Sequence, residues 1–369
     1  MRFILKYILI WYCALLPRLA LADVNLATIL PTEGYKSAPG SEIFTGVQVA
    51  VNEINQSGGL LGNRINLIPI EDTCNDSLSV STAEMIALNT NKKYKLSAII
   101  GPYCSNQFQR VSNTFAKAGI FQLLPVAVNG MYNQDTHSGL IKMVGFMEQQ
   151  ATDFYNYYQK NFDWMSVALI YDNDNQSTAL AIQELFYKNN KINKLHLFKF
   201  DDYDLNYNDI AKQAIENNTQ LALILSNGKN AANMTKKLNS RKKKYLIFVN
   251  RYQTMPEFED IAGNLVNQCY FIGLPSLENR PEFTETLVRL RLLGIEPKGL
   301  AIYGYYAVKL WENAVKKAKS FDYNKLSKVV KNESFNIGWG DINFINGSPS
   351  KVLQRGIFLY KDKEYTQVY

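Results

Sequence analysis

Ile65-Asn66-Leu67-Ile68-Pro69-Ile70-Glu71-Asp72-Thr73-Cys74 and Leu96-Ser97-Ala98-Ile99-Ile100-Gly101-Pro102-Tyr103-Cys104-Ser105 read as two strands that each run out into a cysteine. In the first, an apolar run passes into two acids and a turn. In the second, a Gly-Pro turn leads to a cysteine and then a hydroxyl. If the strands are parallel neighbours, both cysteines reach the same carboxyl edge of one sheet. That edge is where open α/β sheets bind ligands. A disulfide there would staple the rim of a binding site.

The segments on either side follow the same alternation. Residues 24–30, 65–70, Leu96–Ile100 and Phe121–Leu124 read as strands. Helices are expected over 42–57, 77–91 and 105–118, the first with Phe44, Val47, Val51 and Ile54 at helical spacing and Gly58-Gly59 as its stop. The pattern restarts with a helix over 149–162. Five strands follow, at Val167–Tyr171, 195–200, Leu221–Leu225, 245–249 and Cys269–Gly273. The chain then turns helical over 281–293, 299–319 and 324–330. Residues 337–360 read as two short strands joined by Asn346-Gly347-Ser348-Pro349. Strands alternating with helices imply an α/β fold with parallel sheets and helices on both faces.

Residues 1–22 carry Arg2 and Lys6, an apolar run from Tyr7 to Leu16, and Ala20-Leu21-Ala22 as a cleavage site for export. The apolar run falls short of the ~20 residues a spanning helix needs, and Arg18 interrupts its end. Cys13 lacks the small residues before it that lipid attachment would want. Cleavage after Ala22 leaves 347 of 369 residues and removes three cations and no acid, so the formal charge falls from +7 to +4. So mild a charge, without a clustered basic face, points away from nucleic acid. The basic run Arg241-Lys242-Lys243-Lys244 reads as a solvated turn. With 47% hydrophobic residues and a length beyond what one core supports, two lobes are expected. No low-complexity linker separates them, so short crossings near 144–147, 273–275 and 350 would join residues 23–145 plus 275–350 to residues 146–274 plus 351–369.

Signals for chemistry are thin. His137 and His196 are the only histidines, and neither has a metal-binding neighbour. No nucleophile elbow, Walker loop or dinucleotide fingerprint occurs. Gly58-Gly59-Leu60-Leu61-Gly62 joins a helix to a strand, the opposite junction from a phosphate cradle, and reads as a tight turn. No enzyme, metal or cofactor is expected. The strand ends say more. Ser105 and Asn106 open a helix, so free N–H groups and a hydroxyl gather at the sheet edge, as an anion site or as simple capping. Asp172-Asn173-Asp174-Asn175-Gln176-Ser177 holds the same place in the second half, without calcium-loop spacing. Asn227 and Gly228, and Arg251 and Tyr252, also follow strands directly.

The run Phe44-Thr45-Gly46-Val47-Gln48-Val49-Ala50-Val51-Asn52-Glu53-Ile54-Asn55-Gln56-Ser57-Gly58-Gly59-Leu60-Leu61-Gly62 resembles the helix and glycine turn of periplasmic substrate-binding proteins of the leucine/isoleucine/valine-binding family. The segments around Cys74 and Cys104 resemble that family's disulfide-bearing segments. The resemblance spans residues 24 to about 360 and is strongest up to Asn129. It implies two doubly wound lobes joined by a three-crossing hinge and closing on a solute. Further implications are a Cys74–Cys104 disulfide with Cys269 a buried thiol, a periplasmic monomer, and transient contact with the permease subunits of an ABC importer. A sensor that presents its closed form to a membrane receptor is the alternative. By position, Ser105 would meet a carboxylate, Val126 and Val128 would line the floor through backbone groups, Gln176 would come from the second lobe, and Tyr305 would match a helix-opening tyrosine. Two positions depart from the family. Val128 stands where amino-acid binders place Ser or Thr, and Arg251, or Tyr252 in an adjacent register, stands where an acid would hold the ammonium. The implied ligand is an organic acid, an amide or another small polar solute without an α-ammonium. If instead Asp172 or Asp174 takes that charge, the ligand is an amino acid.

Overall fold

Runs of β-branched and aliphatic residues build the strands, and each of the two sheets is covered on both faces. The computed structural model describes residues 22–33, 37–74, 76–89, 96–104, 108–126, 139–144, 149–201, 206–240, 244–250, 255–274, 280–294, 300–336, 340–345, 347–350, 356–361 and 364–369. The segment expected to be an export leader, apart from Ala22, lies outside them.

The first half runs β1 (Ala22–Leu30), α1 (Ser37–Gln56), β2 (Asn63–Glu71), α2 (Asp76–Asn89), β3 (Leu96–Ile100), α3 (Phe108–Lys117), β4 (Phe121–Leu124) and β5 (Leu140–Lys142). These strands form one parallel sheet in the order β2-β1-β3-β4-β5. The strands that lead to Cys74 and Cys104 are not direct neighbours. Both flank β1, and their loops meet beyond its end. The outer edge of β2 is closed locally. The Asn55 carboxamide donates to Ile65 O and accepts from Ile65 N, both at 2.8 Å, and Pro69 offers no N–H. An exposed strand edge is thereby blunted against pairing with another chain.

The second half repeats the plan with α4 (Gln149–Asn161), β6 (Val167–Tyr171), α5 (Gln176–Lys188), β7 (Leu195–Lys199), α6 (Tyr207–Glu216), β8 (Leu221–Leu225), α7 (Gly228–Asn239), β9 (Leu246–Asn250), α8 (Met255–Ala262) and β10 (Cys269–Gly273). Its parallel strands lie in the order β7-β6-β8-β9-β10, the same arrangement relative to their sequence. This is a doubly wound order, with the switch point beside the first strand of each half.

The chain then returns to the first sheet. In α9 (Thr284–Leu292), α10 (Ala301–Ala318) and α11 (Tyr323–Asn332), Leu287, Leu290, Trp311 and Leu326 join the core formed by Leu26, Ile43, Val47, Ile100 and Leu123. The α1–α10 crossing is tight enough to need glycine. A Cβ on Gly46 would lie 1.8 Å from Ala301 O, and one on Gly304 would lie 2.1 Å from Ile43 O. Four two-residue strands follow as two hairpins, β11 (Phe335–Asn336) with β12 (Asp341–Ile342) and β13 (Phe344–Ile345) with β14 (Ser348–Pro349). The sequence reading expected two strands in this region. Finally β15 (Gly356–Lys361) pairs antiparallel with β10, and β16 (Glu364–Gln367) with β15. The chain therefore passes between the two sheets three times, between residues 144 and 149, 274 and 280, and 350 and 356.

Candidate functional site

Parallel strands end together, so each sheet gathers its post-strand residues on one edge, and the two edges are built differently. On the first sheet, Glu71 at the end of β2 accepts from Thr32 N at 2.9 and 3.0 Å, from Glu33 N at 3.1 Å, and from the Thr32 hydroxyl. Desolvation pushes the Glu71 carboxyl up, but these hydrogen bonds outweigh it and leave it below its ordinary value. The next residue, Asp72, is buried. Its Oδ1 accepts from Cys74 N and its Oδ2 from Cys104 N, both at 3.0 Å. The Cys74–Cys104 disulfide joins the same two loops, with Cα atoms 5.3 Å apart. One carboxylate and one covalent bond thus clamp the same pair of turns. Gly101, at φ +113° just after β3, would put a Cβ 2.2 Å from Ile29 O, so glycine is required at this turn as well. Asp72 with the two sulfurs is the one grouping with metal-ligand spacing among the described residues, and the disulfide leaves it no thiolate to offer.

The second edge has no covalent tie. Asn250, the last residue of β9, accepts at Oδ1 from Ser226 N at 3.0 Å and donates from Nδ2 to Asn175 Oδ1 at 2.9 Å. Asn175 in turn donates from its backbone N and from Nδ2 to Asp172 Oδ1, at 3.0 and 2.7 Å. Asp172, Asn175, Ser226 and Asn250 are all buried, so these exchanges run in a desolvated environment where each is costly to lose. Asn227 caps α7 through Asn230 N at 2.9 Å.

Several residues expected from the sequence fall elsewhere on these edges or beyond them. Val126 follows β4 and packs, half-buried, against the first core. Gln176 is exposed at the start of α5, where its Oε1 accepts from Lys199 Nζ at 2.8 Å. Ser105, Asn106, Val128, Arg251 and Tyr252 lie outside the described residues. Tyr305 needs correction. It is buried, and its hydroxyl donates to Glu53 Oε2 at 2.8 Å. Glu53 sits sixteen residues into α1, a helix that starts at the carboxyl edge. At 1.5 Å per residue the Tyr305 hydroxyl is about 24 Å down that helix, away from the strand ends. A tyrosine early in a helix is placed by which helix that one packs on, which local sequence does not report.

Lys142 was missed. It is the last residue of β5, fully buried, with its N–H donated to Gly347 O at 2.7 Å, and burial pulls its ammonium down to about 8. A single lysine inside the apolar run Leu140-Ile141-Lys142-Met143-Val144 was the available signal. Cys269 is buried in the second core, as expected of a thiol beginning an apolar strand, and burial pushes it up to about 12.

Comparison with known proteins agrees with this geometry. The Leu/Ile/Val-binding protein homolog 1 of Brucella suis is 24% identical over 353 residues, covering 93% of this chain and 91% of that one. The branched-chain amino acid substrate-binding protein LivJ of Streptococcus pneumoniae, solved with isoleucine, superposes with a TM-score of 0.75 at 18% identity, over 94% of this chain and 97% of that one. A solute-binding protein of R. palustris solved with benzoate gives a TM-score of 0.74 at 15% identity, over 95% and 96%. Residues 23–361 match the sequence profile of the periplasmic binding proteins, and the chain belongs to that family, whose members bind substrates rather than transform them.

Proposed function

We propose that this chain is the exported solute-binding receptor of an ABC importer. It captures a small polar solute between the carboxyl edges of its two sheets and closes on it by hinge motion. The observation that carries this reading is the repeated strand order joined by three chain passages, in a member of this family. A site shared by two lobes is complete only when they meet, so a ligand favours the closed form by its differential affinity for it. Cleavage after Ala22 releases the protein to the periplasm with Asp23 first. One lobe comprises residues 23–145 plus 275–350 and the other residues 146–274 plus 351–369. The mature protein acts as a monomer that meets its permease transiently.

The ligand is an organic acid, amide or similar solute without an α-ammonium, held by Ser105 at one end and Arg251 at the other. A buried ammonium needs an acid or acceptor. The strand-end acids Glu71 and Asp72 each accept local backbone N–H groups at both oxygens, and Asp172 Oδ1 accepts twice from Asn175. That supports a role for them in fixing turns rather than in pairing with a ligand cation. Arginine is a planar donor suited to carboxylates. Relatives of this fold were solved with isoleucine and with benzoate, so the architecture admits a ligand with or without an ammonium. The test is calorimetry of the mature protein against leucine, isoleucine, valine, benzoate and small dicarboxylates, beside mass spectrometry of whatever co-purifies. A carboxylate bound at least tenfold tighter than any amino acid, and lost in Arg251→Ala, is the expected result. Tight leucine binding indifferent to Arg251→Ala overturns the ligand assignment.

A further inference from the structure

Residues that would touch a solute in the cleft must be held in place, and in the second lobe a buried hydrogen-bond network does so. That lobe's described candidate, Gln176, and the strand-end residue Asn227 stand on separate turns. Gln176 opens α5 after β6, and Asn227 caps α7 after β8. Each comes directly after a residue that the buried side chain of Asn250 holds, Asn175 in one turn and Ser226 in the other. The Asn250 side chain is 2% exposed, and both contacts are made by its one carboxamide, as acceptor towards β8 and as donor towards β6. Beyond Asn175 the tie continues to Asp172, which also donates its N–H to Leu225 O at 3.2 Å, so the turn after β6 is hooked back onto β8.

We propose that Asn250 is a positioning residue that locks the turns after β6 and β8 into one rigid jaw, so that Gln176 and Asn227 are presented to a cleft ligand as a unit. Among related types only glutamine carries both functions, and it sets them one methylene further out. Aspartate lacks the donor, leucine lacks both functions, and serine is too short to span two strand ends. The jaw forms without a ligand, but its relevance to binding rests on the cleft being the site proposed above.

Amide hydrogen exchange on the full mature chain separates the two claims, because it needs no ligand. In Asn250→Ala the amides of 173–177 and 226–230 should both exchange about tenfold faster or more, while those of Tyr103 and Cys104 on the first lobe stay within about twofold of wild type. In Asn175→Ala only 173–177 should quicken, because the Asn250–Ser226 contact survives. Loss of protection confined to β9 in Asn250→Ala, or spread equally over both lobes, overturns the proposal. Should Asn250→Ala fail to fold, the wild-type protein still decides. The Asn250 side-chain amide protons must be protected by NMR, and exchange at the rate of a solvent-exposed asparagine refutes the lock. If the wild type binds leucine or benzoate, Asn250→Ala should weaken that binding about tenfold. If it binds neither, the binding comparison is made with the solute that co-purifies, and the exchange result stands or falls alone.

Discussion

The two carboxyl edges do the same job with different chemistry. On the first sheet, the turns after β2 and β3 are joined by the Cys74–Cys104 bond and by both oxygens of Asp72. On the second, the turns after β6 and β8 are joined by the neutral carboxamide of Asn250. A shared strand order does not dictate a shared rim. The first edge depends on redox state and on a buried carboxylate. The second has no covalent tie: hydrogen bonds alone hold it, from the Asn250 carboxamide and from the buried Asp172 behind Asn175.

That contrast can be broken from the first edge. Cys74→Ser with Cys104→Ser opens a loop with a sequence separation of 30, which the chain-entropy model values at about 3–4 kcal/mol. Chemical denaturation should show that loss, and reduction of the wild type should speed amide exchange at 72–74 and 103–104 while leaving 173–177 and 226–230 unchanged. Equal loosening of both edges on reduction would erase the distinction. Asp72→Ala should cost somewhat less, about 2–3 kcal/mol, because two backbone donors lose a charged acceptor while the covalent tie remains. A cost under about 0.5 kcal/mol would mean that the disulfide alone holds the rim.

Smaller effects test the buried titrating groups. Lys142 has its pKa drawn from 10.5 to about 8 by desolvation. Below pH 8 both folded and unfolded chains hold the proton, and the burial penalty is felt in full. Between pH 8 and 10.5 the unfolded chain keeps a proton that the folded chain has released, so this residue makes stability rise with pH over that window. Lys142→Met should flatten the profile from pH 8 to 10 relative to wild type; parallel profiles would contradict the assignment. The smallest expected change is at Cys269, whose thiol is raised to about 12. At pH 8 an alkylating reagent should leave it unmodified in the folded protein while labelling Cys74 and Cys104 after reduction. Rapid labelling of Cys269 would show that the second core opens.

Much of the sheet scaffold could be read locally. Leu96–Ile100, Phe121–Leu124, Val167–Tyr171, Leu221–Leu225 and Cys269–Gly273 are dense apolar runs bounded by turns, and they form strands over those residues. What local reading missed depended on distant partners. Which strand lies between β2 and β3 is set by tertiary pairing, so the sequence left their adjacency open, and the cysteines meet across β1. β5 is three residues long and ends in lysine, too short for a periodic signal. The strand expected over 245–249 was stopped short of Asn250, because asparagine reads as a turn former until its buried partners from β6 and β8 are known. Cysteines announce a tie in sequence, whereas a carboxamide tie looks like any polar residue.

The central claim is that a solute draws the two edges together. Small-angle scattering of the mature protein tests it, with and without a saturating amount of a compound that calorimetry shows to bind. The account predicts a smaller radius of gyration in the bound state. An unchanged radius, with binding independently confirmed, would contradict it.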